Sequence, residues 1–161
     1  MVTKANPVSS RNSVKPSKAL PRAETKVDYP KIFGRKVPNE PMDFVNAIRT
    51  GLPGTSINAV SELLQVSKGE MYSLLHITPR TAQRIVRSER LDVDISDHIV
   101  QLMNIHKKCM EVFEDGEKAM RWLKTSNFAL GDQTPLSLLD TTAGIELVAD
   151  TLTRIEYGVF G

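Results

Sequence analysis

The stretch MYSLLHITPRT, residues 71–81, predicts two short helices with almost no chain between them. Apolar residues at helical spacing predict the first helix over about 67–75. Thr78-Pro79 then predicts the start of a second helix, because the threonine side chain can cap it and proline is tolerated in a first turn. This second helix is predicted to cover about 78–88. The pair has the pattern of a helix-turn-helix, in which the second helix reads DNA.

On both sides of this pair the chain again predicts helices and no strand. Further helices are expected around 44–48, from a cap at Ser56, from about Ser96 to Gly116, from Ala119 to Leu123, and from about Ala143 to Gly158. The fold class is therefore predicted to be all-α.

The first 38 residues differ in composition from the rest. They hold five prolines and many Ser and Lys, but few large apolar groups, so they cannot bury enough surface to offset the entropy of ordering. We expect a mostly disordered tail, with Tyr29, Ile32 and Phe33 as the residues able to dock near its end. A plain solubilising tail and an arm that contacts DNA both remain open.

Charge is distributed unevenly along the 161 residues. Residues 1–36 contain nine basic and two acidic side chains, a net charge of +7, whereas the chain from Leu91 onward contains six basic and twelve acidic ones. Between them four arginines, Arg80, Arg84, Arg87 and Arg90, stand close together. Basic segments favour polyanions, which the acidic part would repel, so two partners of different kinds are expected.

The predicted second helix of the pair carries the candidate DNA-binding residues. Its arginines suit bidentate contacts to guanine, and its polar side chains can reach base edges or phosphates, whereas Ile85 and Val86 would pack inward. The candidates are Arg80, Thr81, Gln83, Arg84 and Arg87. An ordinary helical hairpin with solvated arginines is the alternative.

Residues 119–158 contain several short sequence motifs in a fixed order. They are Ala119-x-Arg121-Trp122-Leu123, Asn127-x-Ala129-Leu130-Gly131, Thr134-Pro135-Leu136-x-Leu138-Leu139, Thr142-x-Gly144 and Arg154-Ile155-Glu156-x-Gly158. In sequence and order, these motifs resemble the toxin-binding domain of Xre/MbcA/ParS-type antitoxins, the partners of RES-domain toxins. The resemblance covers about residues 95–158. The stretch 71–81 is similar to the Xre-type helix-turn-helix, although His76 stands where glycine is usual.

The resemblance implies an antitoxin that neutralises a cognate RES toxin, an enzyme that consumes NAD⁺, and that binds operator DNA to repress its own operon. Together with the tail predicted from composition, it gives three expected segments: a disordered basic tail over 1–38, an Xre-like domain over 39–92 and a toxin-binding domain over 93–161. A homodimer and mixed toxin–antitoxin oligomers are the expected assemblies. A stand-alone helix-turn-helix regulator is the alternative.

The chemistry of several residues in these motifs predicts structural roles for them. Trp122 is expected to anchor the core rather than a partner, and Leu130-Gly131 to make a backbone bend. Asn127 would satisfy nearby backbone groups, and Thr134 would cap a turn that opens with Pro135.

The chain end offers a surface for another protein. Aromatic and apolar side chains beside a free carboxylate are plausible anchors in a concave site, and an acidic domain complements the basic cleft that a dinucleotide requires. The candidate toxin-binding residues are Arg154, Tyr157, Gly158, Val159, Phe160 and Gly161. We expect the segment from Gly158 to enter or cover the toxin's active site. Phe160 packing on its own domain, and Arg154 pairing with Asp150, are the alternatives.

Other function classes find no support in the sequence. No paired acid and base and no phosphate-binding glycine loop is evident, and His98 and His106 lie two helical turns apart, too far to share a metal ion. We expect no enzyme, no metal and no cofactor. The single cysteine, Cys109, is expected to be a buried hydrophobe. We also expect His106 on the packed face of its helix and His98 to be exposed. The absence of an apolar span or secretory signal indicates a cytoplasmic protein with no membrane partner.

Overall fold

A computed structural model describes residues 28–159 of the chain, and within this range the fold is all-α, as predicted. Eight α-helices lie in it: α1 (Tyr29–Phe33), α2 (Pro41–Thr50), α3 (Ser56–Leu63), α4 (Lys68–Leu74), α5 (Pro79–Ile85), α6 (Val93–Phe113), α7 (Gly116–Lys124) and α8 (Thr142–Glu156). Two 3₁₀ turns, Phe128–Leu130 and Pro135–Asp140, fill the segment between α7 and α8. None of these helices combines the length and the apolar character that crossing a membrane requires.

Local side-chain chemistry explains the pair α4 and α5. The Ser67 hydroxyl accepts a hydrogen bond from the backbone N–H of Glu70 (3.2 Å), and the Glu70 carboxylate accepts one from the N–H of Ser67 (2.7 Å), which is a capping box. The same contacts hold the pKa of Glu70 below its ordinary value. Thr78 caps α5 by accepting from the N–H of Thr81 (3.2 Å), with proline following it, which confirms the cap-then-proline prediction.

One long helix joins the two halves of the molecule. Helix α6 packs against α2 and α3 on one side and against α7 and α8 on the other, and the buried apolar residues form one continuous core. Near its start the Ser96 hydroxyl accepts from the N–H of Leu52 (2.9 Å), whereas further along the Lys108 ammonium donates to the hydroxyl of Thr153 in α8. The predicted boundary between residues 92 and 93 therefore lies at the start of a shared helix.

The limits of α6 differ from the prediction. It begins at Val93, after Asp92 in an extended conformation, and Ser96 lies inside the helix with its hydroxyl accepting from the N–H of Leu52. It ends before Gly116, since Glu114 adopts a left-handed backbone with φ of +51°. Asp115 then caps α7 by accepting from two backbone N–H groups, at 2.9 and 3.0 Å, and these bonds lower its pKa. Gly116 begins a helix instead of ending one.

Residues 28–38, which composition placed in the N-terminal tail, belong to the folded part. Ile32 and Phe33 of α1 are buried, and the Phe33 ring meets the ring of Phe44 edge-on at 5.4 Å between centroids. The Ser56 hydroxyl, predicted as a cap, instead donates to the carbonyl of Ile32 (2.5 Å) from the first residue of α3. The docking expected of Tyr29, Ile32 and Phe33 is thus confirmed for the segment that carries them. The rest of the predicted tail, residues 1–27, lies outside the described range.

Two titratable residues of α6, Cys109 and His106, are buried in this core, as predicted. Burial raises the pKa of Cys109 to about 12, which keeps the thiol protonated and unreactive. His106 is fully buried, and neither ring nitrogen has a hydrogen-bond partner among the described residues. Burial lowers its pKa to about 4, so the ring is neutral in the folded protein at pH 7.

Replacing His106 with leucine is expected to stabilise the protein most at acidic pH. Between pH 6.5 and 4 the unfolded chain binds a proton at this histidine and the folded chain does not, so wild-type stability falls as pH falls. At pH 5 this linkage amounts to about 2 kcal/mol, which the leucine variant does not lose. Chemical denaturation at pH 7 and pH 5 measures it. A stability difference between the two proteins that is equal at both pH values contradicts the prediction.

Candidate functional site

Helix α5 presents a basic face to solvent. Arg80, Arg84 and Arg87 are spaced by four and three residues, which places them on one face, and all three are exposed together with Gln83. Arg87 lies just past the end of the helix, where its N–H continues the turn by donating to the carbonyl of Arg84 (3.3 Å). Thr81 is half-buried, and its hydroxyl lies 3.0 Å from that of Thr78. Four of the five candidate residues are thus free to reach a ligand.

The opposite side of α5 is fixed to the fold. Ala82 and Ile85 are buried and Val86 is half-buried. A side chain at Gly54 would collide with the backbone carbonyls that end α5, those of Ile85, Val86 and Ser88, so this approach requires glycine. Arg90, the fourth residue of the arginine cluster, donates to the carbonyl of Gly51 (2.9 Å). It therefore has a structural partner and does not extend the basic face.

Two histidines bind the end of the second 3₁₀ turn, and one of them, His76, connects the helix-turn-helix to the C-terminal half. His76, in the turn between α4 and α5, has its Nε2 2.7 Å from the carbonyl oxygen of Asp140. His98, on α6, has its Nε2 2.7 Å from the carbonyl oxygen of Leu139. These consecutive carbonyls end the second 3₁₀ turn, where no helical partner remains for them. His98, expected to be exposed, is half-buried for this reason.

His76 also has the left-handed backbone that a glycine would supply, with φ of +51°. A similar pairing lies nearby, where the Lys124 ammonium donates to the carbonyl of Gln65 (2.6 Å), and Gln65 has φ of +52°. Each of these residues with left-handed backbone is thus tied to the C-terminal half. The turn geometry of the helix-turn-helix is supported by contacts that local sequence does not reveal.

The segment after α7 is a hydrogen-bonded loop. The Asn127 side-chain oxygen accepts from the N–H of Ala129 (3.0 Å), and its own N–H donates to the carbonyl of Gln133 (3.0 Å). Gly131 has φ of +65°, which is the bend expected there, and Leu130 is buried beneath it. This loop brings the chain back toward α8.

The motifs that begin at Thr134 and Thr142 form the second 3₁₀ turn and the start of α8. Thr134 accepts from the N–H of Ser137 (3.2 Å), and Pro135, the first residue of the second 3₁₀ turn, is buried. The carbonyl of Leu138 occupies the position that a side chain at Gly144 would need. Trp122 is half-buried, with its ring 5.6 Å from that of Phe113 between centroids.

Helix α8 ends in a Schellman motif. The N–H of Gly158 donates to the carbonyl of Ile155 (3.1 Å), and that of Val159 donates to the carbonyl of Arg154 (2.9 Å), with Gly158 at φ of +66°. Tyr157 is 73% exposed and Val159 is 60% exposed. Arg154 is exposed, and the ion pairs within residues 28–159 do not include it, so the pair with Asp150 is not formed. Phe160 and Gly161 lie outside the described residues.

Sequence reasoning missed one exposed aromatic residue. Phe128, the variable position x in the motif Asn127-x-Ala129-Leu130-Gly131, is 90% exposed. An aromatic residue between Asn127 and the bend at Gly131 was a signal, but an isolated apolar residue in a loop does not indicate on which side it lies. Among the described residues no cluster of three His, Cys, Asp or Glu side chains could hold a metal ion.

Two regions of the chain match known protein domains. Residues 43–104 match the antitoxin Xre-like helix-turn-helix domain, and residues 110–158 match the antitoxin Xre/MbcA/ParS C-terminal toxin-binding domain. The order of these domains and the α4–α5 pair define the class: an antitoxin with a helix-turn-helix and a C-terminal toxin-binding domain.

Curated relatives agree with both matches. The chain is 30% identical over 118 residues to the Antitoxin Xre of Photorhabdus laumondii subsp. laumondii, covering 71% of this chain and 80% of that protein. It is 28% identical over 118 residues to the Antitoxin Xre of Yersinia enterocolitica serotype O:8, covering 72% and 80%. A Prs ADP-ribosylating antitoxin of Sphingobium sp. is 23% identical over 130 residues, covering 74% and 82%. The chain belongs to the Xre antitoxin family.

Proposed function

We propose that this antitoxin neutralises a RES-domain, NAD⁺-consuming toxin by covering its active site with the C-terminal domain and tail. The observation that carries this proposal is the exposed apolar end of α8 in the part that matches a toxin-binding domain. Tyr157 and Val159 have no covering in the described chain, and the Schellman motif fixes the direction in which the tail leaves the helix. Such anchors bind best in a concave site of a partner.

Charge supports the same partner. From Leu91 onward the chain carries twelve acidic and six basic residues. A site that holds an anionic dinucleotide needs basic groups, which an acidic domain complements. One relative is named a Prs ADP-ribosylating antitoxin, and ADP-ribosylation is a chemistry that uses NAD⁺. That name supports a toxin of NAD⁺-dependent chemistry, although it does not name the RES class.

We further propose that α5 binds operator DNA and thereby autoregulates the operon. The exposed arginine face, with Gln83 beside it, has the side chains that contact guanine edges and phosphates, and the match to an Xre-like helix-turn-helix supports this role. In this division of labour residues 39–92 bind DNA and residues 93–161 bind the toxin. The acidic half would weaken DNA binding by a single chain, which favours a dimer at the operator.

The assemblies we propose are a homodimer and a mixed toxin–antitoxin oligomer in the cytoplasm. No catalytic step and no cofactor is assigned to this chain.

Co-expression with the adjacent gene product tests the proposal. The toxin alone should stop growth and deplete NAD⁺, and the antitoxin should restore both through a complex that co-purifies. A neighbour that is harmless and forms no complex would leave the stand-alone regulator as the better interpretation. In that case binding to the promoter fragment would be the function to measure.

A further inference from the structure

Phe128 is the most exposed of the large apolar side chains in residues 28–159. It opens the first 3₁₀ turn, is 90% exposed, and belongs to none of the aromatic pairs in that range. Leu130, two residues later, is buried under the same turn. The loop therefore has an inner apolar residue that holds it to the fold and an outer one with no intramolecular contact to explain it.

The backbone around Phe128 is held in place by hydrogen bonds on both sides. The N–H groups of Leu130 and Asp132 donate to the carbonyl of Asn127, at 2.9 and 3.0 Å, and the N–H of Gly131 donates to the carbonyl of Phe128 itself (3.1 Å). The Asn127 side chain and the bridge between Asn127 and Gln133 close the loop. A side chain presented on a rigid loop loses little conformational freedom on binding, which favours affinity.

The position of the loop indicates which partner would cover Phe128. It lies within residues 110–158, the range that matches the toxin-binding domain. The first 3₁₀ turn also packs against α8, the helix that ends with the exposed Tyr157 and Val159. Aromatic side chains are enriched at the centres of protein interfaces, where a few of them carry most of the binding energy.

We propose that Phe128 is a second anchor for the toxin, inserting its ring into an apolar recess on the toxin surface outside the cleft that the tail covers. This inference rests on the proposed function. The tail blocks the active site, whereas Phe128 contributes affinity and specificity for the cognate toxin. Self-association through Phe128 is the competing outcome.

The test measures binding of full-length antitoxin variants to a catalytically inactive form of the adjacent gene's RES toxin. Phe128→Ser is expected to raise the Kd at least tenfold, mainly through faster dissociation. Phe128→Trp, which keeps an aromatic ring, should stay within about threefold of wild type. The matched control is Met42→Ser, an exposed apolar residue outside the toxin-binding part, and it should leave the Kd unchanged. All three variants should keep the wild-type melting temperature, since neither residue is in the core.

The possible outcomes separate this proposal from the proposed function. If the wild-type chain does not bind the toxin, both fail. If it binds and Phe128→Ser binds equally well, the second anchor is wrong and the antitoxin role stands. If light scattering shows that the wild type is a dimer and Phe128→Ser is a monomer, with toxin affinity unchanged, Phe128 serves self-association instead. When Phe128→Ser is combined with deletion of residues 159–161, the losses of binding free energy should add, as expected for two independent contacts.

Discussion

Deletion of residues 158–161 is expected to abolish neutralisation of the toxin while leaving DNA binding intact. The tail begins where the Schellman motif ends α8, and the deletion removes Val159 and Phe160, two of the residues expected to anchor the toxin. Truncating such anchors typically weakens a complex by about 100-fold or more. Growth and NAD⁺ levels on co-expression, with a Kd for the inactive toxin, measure the loss.

A shorter deletion controls for damage to the helix. Removing only residues 159–161 keeps Gly158 and its hydrogen bond to Ile155, so α8 retains part of its C-terminal cap. The shorter deletion should show the same loss of neutralisation, and both proteins should bind the operator with wild-type affinity. Full protection of cells by either truncated chain would show that the tail does not block the active site.

Replacing Arg80, Arg84 and Arg87 together with alanine is expected to remove operator binding without affecting the toxin complex. Loss of a base-reading arginine costs about 1–3 kcal/mol, and loss of a phosphate contact lowers the salt dependence of binding, so the triple change should weaken affinity by roughly 100-fold or more. The three side chains are exposed, and none of them takes part in the ion pairs found within residues 28–159. Operator binding at two salt concentrations measures both effects.

A second triple variant with the same change in charge serves as the control. Lys107, Lys118 and Arg121 are exposed on α6 and α7, away from α5, and replacing them with alanine should leave operator affinity close to wild type. An equal loss in both variants would indicate that net charge alone, and not the α5 face, controls DNA binding. Unchanged operator affinity in the α5 variant would remove this helix as the reading surface.

Helix starts within the helix-turn-helix were predictable because their chemistry is local. The caps at Ser67 and Thr78 depend on residues three positions away, and proline after Thr78 strengthens the second. The start of α6 was not predictable in the same way, since the hydroxyl of Ser96 bonds to Leu52, 44 residues earlier. From the sequence alone, one cannot tell whether a hydroxyl residue near a helix start forms a hydrogen bond within its own helix or with a distant segment of backbone.

The candidate site follows the same distinction. The basic face of α5 could be predicted from residue spacing, and so could the bend at Gly131. The docking of α1 was visible only as Ile32 and Phe33 within a segment rich in proline. His98 and Phe128 were placed by tertiary contacts, or by the lack of them, that no local pattern encodes.

The two histidine contacts and the shared helix α6 limit how this antitoxin can be re-engineered. Grafting its C-terminal half onto another helix-turn-helix at residue 93 would keep the contact between His98 and Leu139, but it would remove His76, the partner of the Asp140 carbonyl. It would also need a carbonyl placed for Lys124. A chimera that changes toxin specificity should therefore take α6 with its new half, and its helix-turn-helix should keep a histidine at the position of His76. A change of toxin specificity therefore requires two halves whose mutual contacts are compatible.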